Sequence, residues 1–348
     1  MSGRNATRAR RWRVPHEVLL RRVDAARAML TACAMCELRC GTNRLAGADS
    51  PCRLGADSHI YKQYTSLNEE RELLPAWRVF LGGCNFGCPH CDELPEATQT
   101  GVGDLVEPRH WAEELSQAVA RGAKTLSLLG GEPSLHAHTI LATAAASSED
   151  LPLALNSNMY MTPEVLDLLD GVVHCYLADF KFGNDACAER LAGVPRYTEV
   201  VRRNLSWIFP RTAVIVRHVL LPGHGDCCFR PIADWLSRTL PGIRFQLYPG
   251  YVPCGEVGHD AGLGRLNIPA EVRAAREYLS RLDLQCEVAE EEQSTQPAHA
   301  SRDGTGLAGL TIGANGRLYC HDVTPELSLV LSELCDAQGD PRDQPGVA

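Results

Sequence analysis

Cys84, Cys88 and Cys91 stand together as C-x3-C-x2-C. Thiolates are soft ligands that suit iron–sulfur clusters and zinc. The preceding run Val79, Phe80, Leu81 is apolar and strand-like, so the triad belongs to a strand-to-loop junction. Gly82, Gly83 and Gly87 let the backbone curl closely around a bulky inorganic group. Three thiolates on a four-iron cubane leave one iron open to a substrate or cofactor, which makes a working cluster rather than a sealed electron carrier. Structural zinc, with His90 as fourth ligand, is the competing reading of the same spacing.

A second set, Cys33, Cys36, Cys40 and Cys52, reads C-x2-C-x3-C-x11-C with Gly41, Gly47 and Gly55 nearby. Four thiolates this close together form a metal-site pattern. Zinc, clamping a segment too short for its own core, is the preferred occupant, and an auxiliary iron–sulfur cluster for electron delivery is the alternative. For the scattered Cys254, Cys286, Cys320 and Cys335 and the adjacent Cys227 and Cys228, a substrate-facing thiol, a further metal site and plain burial are all open; burial is the default, since free cysteine packs like a small hydrophobe.

Positioning these residues requires a scaffold. Strands are expected at 77–83, 125–129, 153–156, 172–179, 213–221 and 243–248, with helices at 108–121, 137–147, 163–169, 197–208 and 229–240 between them. Alternation of this kind implies parallel βαβ units, and six of them imply a partial (β/α)6 TIM-like barrel working at its strand C-termini. Upstream, apolar residues from Val14 to Leu30 at helical spacing predict an amphipathic helix with an arginine-rich wet face. The expected organisation is an N-terminal helix (1–32), a cysteine-rich metal module (33–60), a core barrel (70–255) and a C-terminal extension (256–348). That extension contains a polar linker at 290–306, a hairpin turning at Asn315-Gly316 and a helix at 325–335.

Composition narrows the function. Of 348 residues, 45% are hydrophobic, enough for a buried core. Only 6% are aromatic and the net charge is -9, so a nucleic-acid partner is not expected. No apolar stretch is long enough for a membrane span. The fifteen cysteines are clustered and odd in number, which points to a reducing, cytoplasmic setting.

The cysteine motif resembles that of the radical S-adenosylmethionine (radical SAM) superfamily. Within it the chain is most similar to the PflX-like branch, relatives of the pyruvate formate-lyase activating enzymes. The resemblance runs from Cys33 to about Cys254 through 36–44, 82–91, 129–133, 156–160, 176–181 and 216–224. It implies a [4Fe-4S] cluster on Cys84, Cys88 and Cys91 whose open iron binds S-adenosylmethionine. It implies reductive cleavage to a 5′-deoxyadenosyl radical for hydrogen abstraction, and an electron donor such as flavodoxin or ferredoxin.

By the same resemblance, Gly130, Gly131, Glu132 and Pro133 form a cofactor turn, with Glu132 facing the cofactor ammonium. Asp179 and Lys181 take the ribose and carboxylate ends, Asn158 helps to shape the site, and His90 lies flat beside adenine. Arg217 reaches the cofactor, while His218 points to the other face of its strand. The histidine usual after the sixth strand is missing, and Tyr248 or Tyr251 is the available substitute. The implied target is a glycine of a glycyl-radical enzyme. A small molecule or peptide, or a catalytically silent metal-binding scaffold, are the alternatives.

Overall fold

The computed structural model describes residues 14–289 apart from 48, 49, 69, 100, 150 and 258–261, together with strands Leu310–Ile312 and Leu318–Cys320. The arginine-rich first residues, the 290–306 linker, the turn at 315–316 and the helix expected at 325–335 lie outside the described residues.

The core opens with α1 (His16–Ala28), β1 (His59–Ser66), β2 (Ala76–Leu81), β3 (Asp104–Leu105) and α2 (Pro108–Ala120). It continues with β4 (Thr125–Gly130), α3 (Ala137–Ala146), β5 (Leu153–Ser157), α4 (Pro163–Leu169) and β6 (Cys175–Asp179). Then follow α5 (Asp185–Ala192), α6 (Tyr197–Ile208), β7 (Ala213–Val219), α7 (Arg230–Thr239), β8 (Arg244–Tyr248), α8 (Pro269–Leu279) and β9 (Gln285–Val288). Strands β10 (Leu310–Ile312) and β11 (Leu318–Cys320) pair antiparallel, as the hairpin pattern predicts.

One nine-stranded sheet runs in the order β3-β1-β2-β4-β5-β6-β7-β8-β9. Strands β2 and β4 to β9 are parallel, and β1 and β3 add an antiparallel edge beside β2. All six expected strands and five expected helices form, with shifted ends. The expectation of six parallel units falls short by one strand, β9, which has four residues and no fully buried position. Strand β1 escapes a pattern reading because Lys62 and Gln63 stand exposed in its middle. Helices α5 and α8 add to the expected set.

The sheet curls into an open barrel, and the segment ahead of β2 shows how far. Glu70 pairs with Arg217 on β7, Glu72 pairs with Arg244 on β8, and Leu73 packs with Ala154, Cys175, Leu177 and Ile215. In a flat sheet β7 would lie four strand spacings from β2, roughly 19 Å away. The 70–73 segment therefore plugs the end of the barrel opposite the strand C-termini.

Outside the barrel, α1 packs on α3. Helix α3 buries Ala137, His138, Ile140, Leu141 and Ala144, as a helix covered on all sides must. On α1 the buried Leu19 and Ala26 face inward, as the spacing predicts, while Arg22 donates to the carbonyl oxygen of Leu168 (3.1 Å) on α4. No helix among the described residues is long and apolar enough to cross a membrane.

Three histidines are buried as neutral rings. His138 Nε2 donates to Ala56 O (2.7 Å), and His218 Nδ1 donates to Phe180 O (2.8 Å) beneath Phe229. His136 Nε2 donates to Gly82 O (2.9 Å), which leaves Nδ1 to accept from the Ser58 hydroxyl (2.7 Å). Burial pushes their pKa values down from 6.5, to about 3 for His136 and about 4 for His138 and His218. Below pH 6.5 the unfolded chain therefore takes up protons that the folded chain refuses, until about pH 4. Stability falls as pH drops through that window and is unaffected by these groups above it. The urea midpoint is expected to be lower at pH 5 than at pH 7.5; equal midpoints would contradict neutral burial.

Candidate functional site

The chain leaves β2 through Gly82 and Gly83 and enters the cysteine loop at Cys84. Three successive carbonyls here are held by the segment after β4. Leu81 O accepts from Gly131 N (2.8 Å), Gly83 O from Glu132 N (2.9 Å) and Gly82 O from His136 Nε2 (2.9 Å). The two backbones approach so closely that a Cβ on Gly131 would lie 2.0 Å from Gly83 O. The glycines of the Gly130-Gly131 turn thus admit the cysteine loop itself.

Glu132 is 1% exposed and caps the short turn that starts at Pro133. Its carboxylate accepts from Ser134 N (3.1 Å), Ser157 Oγ (2.8 Å) and Asn158 N (2.8 Å). Burial raises its pKa, against the pull of these donors. The carboxylate that the sequence offers to a cofactor ammonium is thus already engaged in tying the end of β4 to the end of β5. Asn158 extends the tie, donating through Nδ2 to Asn85 Oδ1 (2.8 Å) in the cysteine loop.

The three thiols are half-exposed to solvent, yet closely surrounded by protein. Burial, reinforced by Cys88, raises the Cys84 pKa well above its usual value, and Phe86 N donates to its sulfur (3.4 Å). Burial pushes Cys88 up to about 12, opposed by the Lys181 ammonium, and also raises Cys91. Such thiols are protonated in the metal-free chain, so metal binding there would release protons. Soft donors, a loop fixed at three consecutive carbonyls and a cation beside Cys88 fit an iron–sulfur cluster.

Asp179 ends β6, and Lys181 Nζ bonds to its Oδ2 at 2.8 Å. Burial lowers the Lys181 pKa, but Asp179 and Cys88 outweigh it and hold the ammonium above its usual value. Tyr197 fixes this stretch, accepting from Lys181 N (2.7 Å) and donating to Asp179 O (3.2 Å). His90 lies edge-on to Phe182 and Tyr251, each 6.4 Å away between ring centres. Burial, helped by Lys181, lowers its pKa to about 4, and its Nδ1 is buried without a hydrogen-bond partner. Tyr251 is thus brought to His90, although its hydroxyl is spent on Leu263 O (2.9 Å).

Arg217 pairs in register with Asp179 across β6 and β7, so it shares the inner face, and His218 takes the outer one as the strand period predicts. Its guanidinium holds Glu70, with Nη2 2.7 Å from both carboxylate oxygens, instead of standing free for a cofactor.

The 33–60 module is docked on the core. Cys36 bridges to Met161, Thr162 Oγ1 donates to Ala34 O (2.8 Å), and buried Arg44 donates to Gly55 O (2.8 Å) and Leu135 O (3.0 Å). Burial raises Cys36 to about 12, with Asn85, Cys52 and Cys33 all close enough to influence it. Cys40 and Cys84 line one cleft between the module and the cysteine loop.

Sequence reading missed Asn85, His136, Tyr197 and Glu70. Each acts through a residue distant in the chain, and none stands in a spacing that signals it.

An open α/β barrel carrying a C-x3-C-x2-C loop at its mouth defines a class of iron–sulfur enzymes. Residues 79–236 match the family model described as the Radical SAM superfamily. An uncharacterized protein of Methanocaldococcus jannaschii is 35% identical over 241 residues, covering 66% of this chain and 70% of that protein. The chain belongs to the radical SAM superfamily. Among solved structures it is similar to Streptococcus suis SuiB bound to S-adenosylmethionine (TM-score 0.46, 14% identity, 59% of this chain). The match spans 48% of the SuiB chain, about half its length. A domain of a pyruvate-formate lyase-activating enzyme from Bacteroides vulgatus is also similar (TM-score 0.39, 17% identity, 48% of this chain and 99% of that one).

Replacing Glu132 by Gln turns one acceptor into a donor that faces either Ser134 N and Ser157 Oγ or Asn158 N. The Glu132→Gln protein is expected to lose about 1–3 kcal/mol in urea unfolding and to retain less iron after anaerobic reconstitution. Wild-type stability and iron content in this variant would show that the carboxylate does not anchor the loop.

Proposed function

We propose that Cys84, Cys88 and Cys91 hold a [4Fe-4S] cluster with S-adenosylmethionine at its open iron. The observation carrying this reading is the cysteine loop pinned through three consecutive carbonyls, with the Asp179–Lys181 pair beside Cys88. When bound, these groups supply one-electron cleavage of the sulfonium, giving methionine and a 5′-deoxyadenosyl radical for hydrogen abstraction. The chain's own residues bind and orient. Lys181 offsets thiolate charge and offers an ammonium to the cofactor carboxylate; Asp179 offers acceptors to the ribose. His90, flanked by Phe182 and Tyr251, presents a neutral ring for adenine. Gly130, Gly131, Glu132, Pro133 and Asn158 set the loop that carries the cysteines. Arg217, anchored on Glu70, ties β7 to the segment ahead of β2 across the barrel interior.

Radical abstraction from a glycine of a partner protein is the proposed reaction, by the likeness to glycyl-radical activases, with flavodoxin or ferredoxin as electron donor. A small molecule or peptide is the second substrate class. Cys33, Cys36, Cys40 and Cys52 are proposed to bind zinc or an auxiliary cluster next to the Cys84 side of the loop. The cytoplasm suits oxygen-sensitive metal thiolates.

Reconstituted anaerobically with iron and sulfide, then given dithionite and S-adenosylmethionine, the protein is expected to release 5′-deoxyadenosine. Cys88→Ala should reduce the yield to background along with the cluster absorbance; unchanged turnover in that variant would refute the ligand assignment. No product from the wild type would favour a silent scaffold. Electron spin resonance on mixtures with candidate glycyl-radical enzymes separates the substrate classes. A protein radical identifies an activase, and product without one identifies a small substrate.

The module is tested in a chain carrying Cys84→Ala, Cys88→Ala and Cys91→Ala. Adding Cys33→Ser and Cys36→Ser should remove about one zinc per chain if zinc is bound, or iron with sulfide if a cluster is. No change in metal content would leave the module without a ligand role.

A further inference from the structure

We propose that Cys187, His224, Cys227 and Cys228 form an additional metal site that takes one tetrahedral divalent cation, zinc by its ligand set. Among the described residues these four place their ligand atoms all within 4.8 Å of one another. His224 Nδ1 is 3.3 Å from Cys227 Sγ and 3.6 Å from the sulfurs of Cys187 and Cys228. Cys227 Sγ is 3.9 Å from each of the other two sulfurs. Zinc–sulfur and zinc–nitrogen bonds of about 2.3 and 2.0 Å give tetrahedral edges of about 3.8 Å between sulfurs and about 3.5 Å from sulfur to nitrogen. Five of the six separations match the edges of that tetrahedron, and the sixth, between the sulfurs of Cys187 and Cys228, is within 4.8 Å. A four-iron cubane binds each thiolate at a different corner and would need the sulfurs farther apart.

Local structure explains the convergence. His224, Cys227 and Cys228 lie at positions i, i+3 and i+4 around the π turn Gly225–Phe229, so they share one face. Cys228 N and Phe229 N both donate to His224 O (3.0 and 3.2 Å), which closes the turn. Cys187 arrives from the first turn of α5, capped by Asn184, whose Oδ1 accepts from Cys187 N (2.8 Å). The Asn184 amide Nδ2 donates to Cys227 O (2.7 Å) and also points at Cys187 Sγ (3.2 Å) and Cys228 Sγ (3.8 Å). Donors aimed at sulfur stabilise thiolates, the role of an outer shell around a metal. Gly183 lies so close that a Cβ there would sit 2.3 Å from Cys228 O.

Arg190 Nη2 is 3.3 Å from His224 Nε2. With Nδ1 on the cation, Nε2 carries the ring proton, so this exposed guanidinium turns aside; its charge still offsets the net negative three-thiolate set. Four protein ligands close the site, so its role is structural. It clamps the loop after β6, which carries Lys181, to the loop after β7. The proposal does not depend on the cluster reading, because its readout is metal content.

The full-length chain carrying Cys84→Ala, Cys88→Ala and Cys91→Ala serves as parent, loaded with zinc or with cobalt(II). Adding Cys228→Ser is expected to remove one zinc equivalent per chain. The cobalt difference spectrum should show sulfur-to-cobalt charge transfer and the strong visible bands of a tetrahedral site. Equal metal content in parent and Cys228→Ser, or a weak octahedral difference spectrum, overturns the proposal. If Cys228→Ser fails to fold, His224→Cys in the same parent decides. It keeps four ligands, so retention of the equivalent with stronger charge transfer supports the site, and loss of the equivalent overturns it.

Discussion

Two loop backbones locked together at van der Waals distance govern the mouth of this barrel. The carbonyls of Leu81, Gly82 and Gly83 each meet a donor from the segment after β4, two from backbone and one from His136. Hydrogen bonds that occupy consecutive peptide units leave the chain almost no freedom to rotate. The direction in which Cys84 leaves the sheet is thereby set before any metal arrives. Glycine at 131 is required because a side chain there would meet Gly83 O. Glu132 then carries the constraint to Ser157 and Asn158, and Asn158 carries it back to Asn85. The result is a closed circuit of polar groups with the cysteine loop as one member.

Charge is arranged around that rigid frame. The barrel is plugged at one end by paired carboxylates and guanidiniums, Glu70 with Arg217 and Glu72 with Arg244. Arg217 is the in-register neighbour of Asp179, so the plug reaches the level at which Lys181 stands between Asp179 and the thiols. Three thiolates and an anionic cluster would repel one another in so buried a place, and a fixed ammonium reduces that cost. Neutral His90, His136 and His218 add polar contacts without adding charge.

The mouth is framed on two sides by further cysteines. The N-terminal module docks through Cys36, Thr162 and Arg44 and faces the cysteine loop across a shared cleft. On the opposite flank Cys187 on α5 meets His224, Cys227 and Cys228 of the turn after β7. Both flanks send apolar side chains into the main core, Met35 and Leu54 on one side and Phe182 and Phe229 on the other.

The sequence by itself determined the class and the spacing of the cysteine motif. Period and spacing are local properties, so the six core strands, the helices between them and the C-x3-C-x2-C loop could be read from neighbouring residues. The inward and outward assignment of Arg217 and His218 followed from strand alternation for the same reason. Strands β1 and β9 were illegible because exposed Lys62 and Gln63, and a run of only four residues, carry no pattern; pairing with β2 and β8 is what makes them strands. Only the tertiary structure decided which groups answer one another. It gave Glu132 to Ser157 and Asn158, Arg217 to Glu70 across the barrel, and His136 to Gly82. It also joined Cys187 to residues some forty positions away. Hydrogen bonds and metal geometry act over a few ångströms between atoms that chain folding brings together, and no local spacing encodes such a meeting.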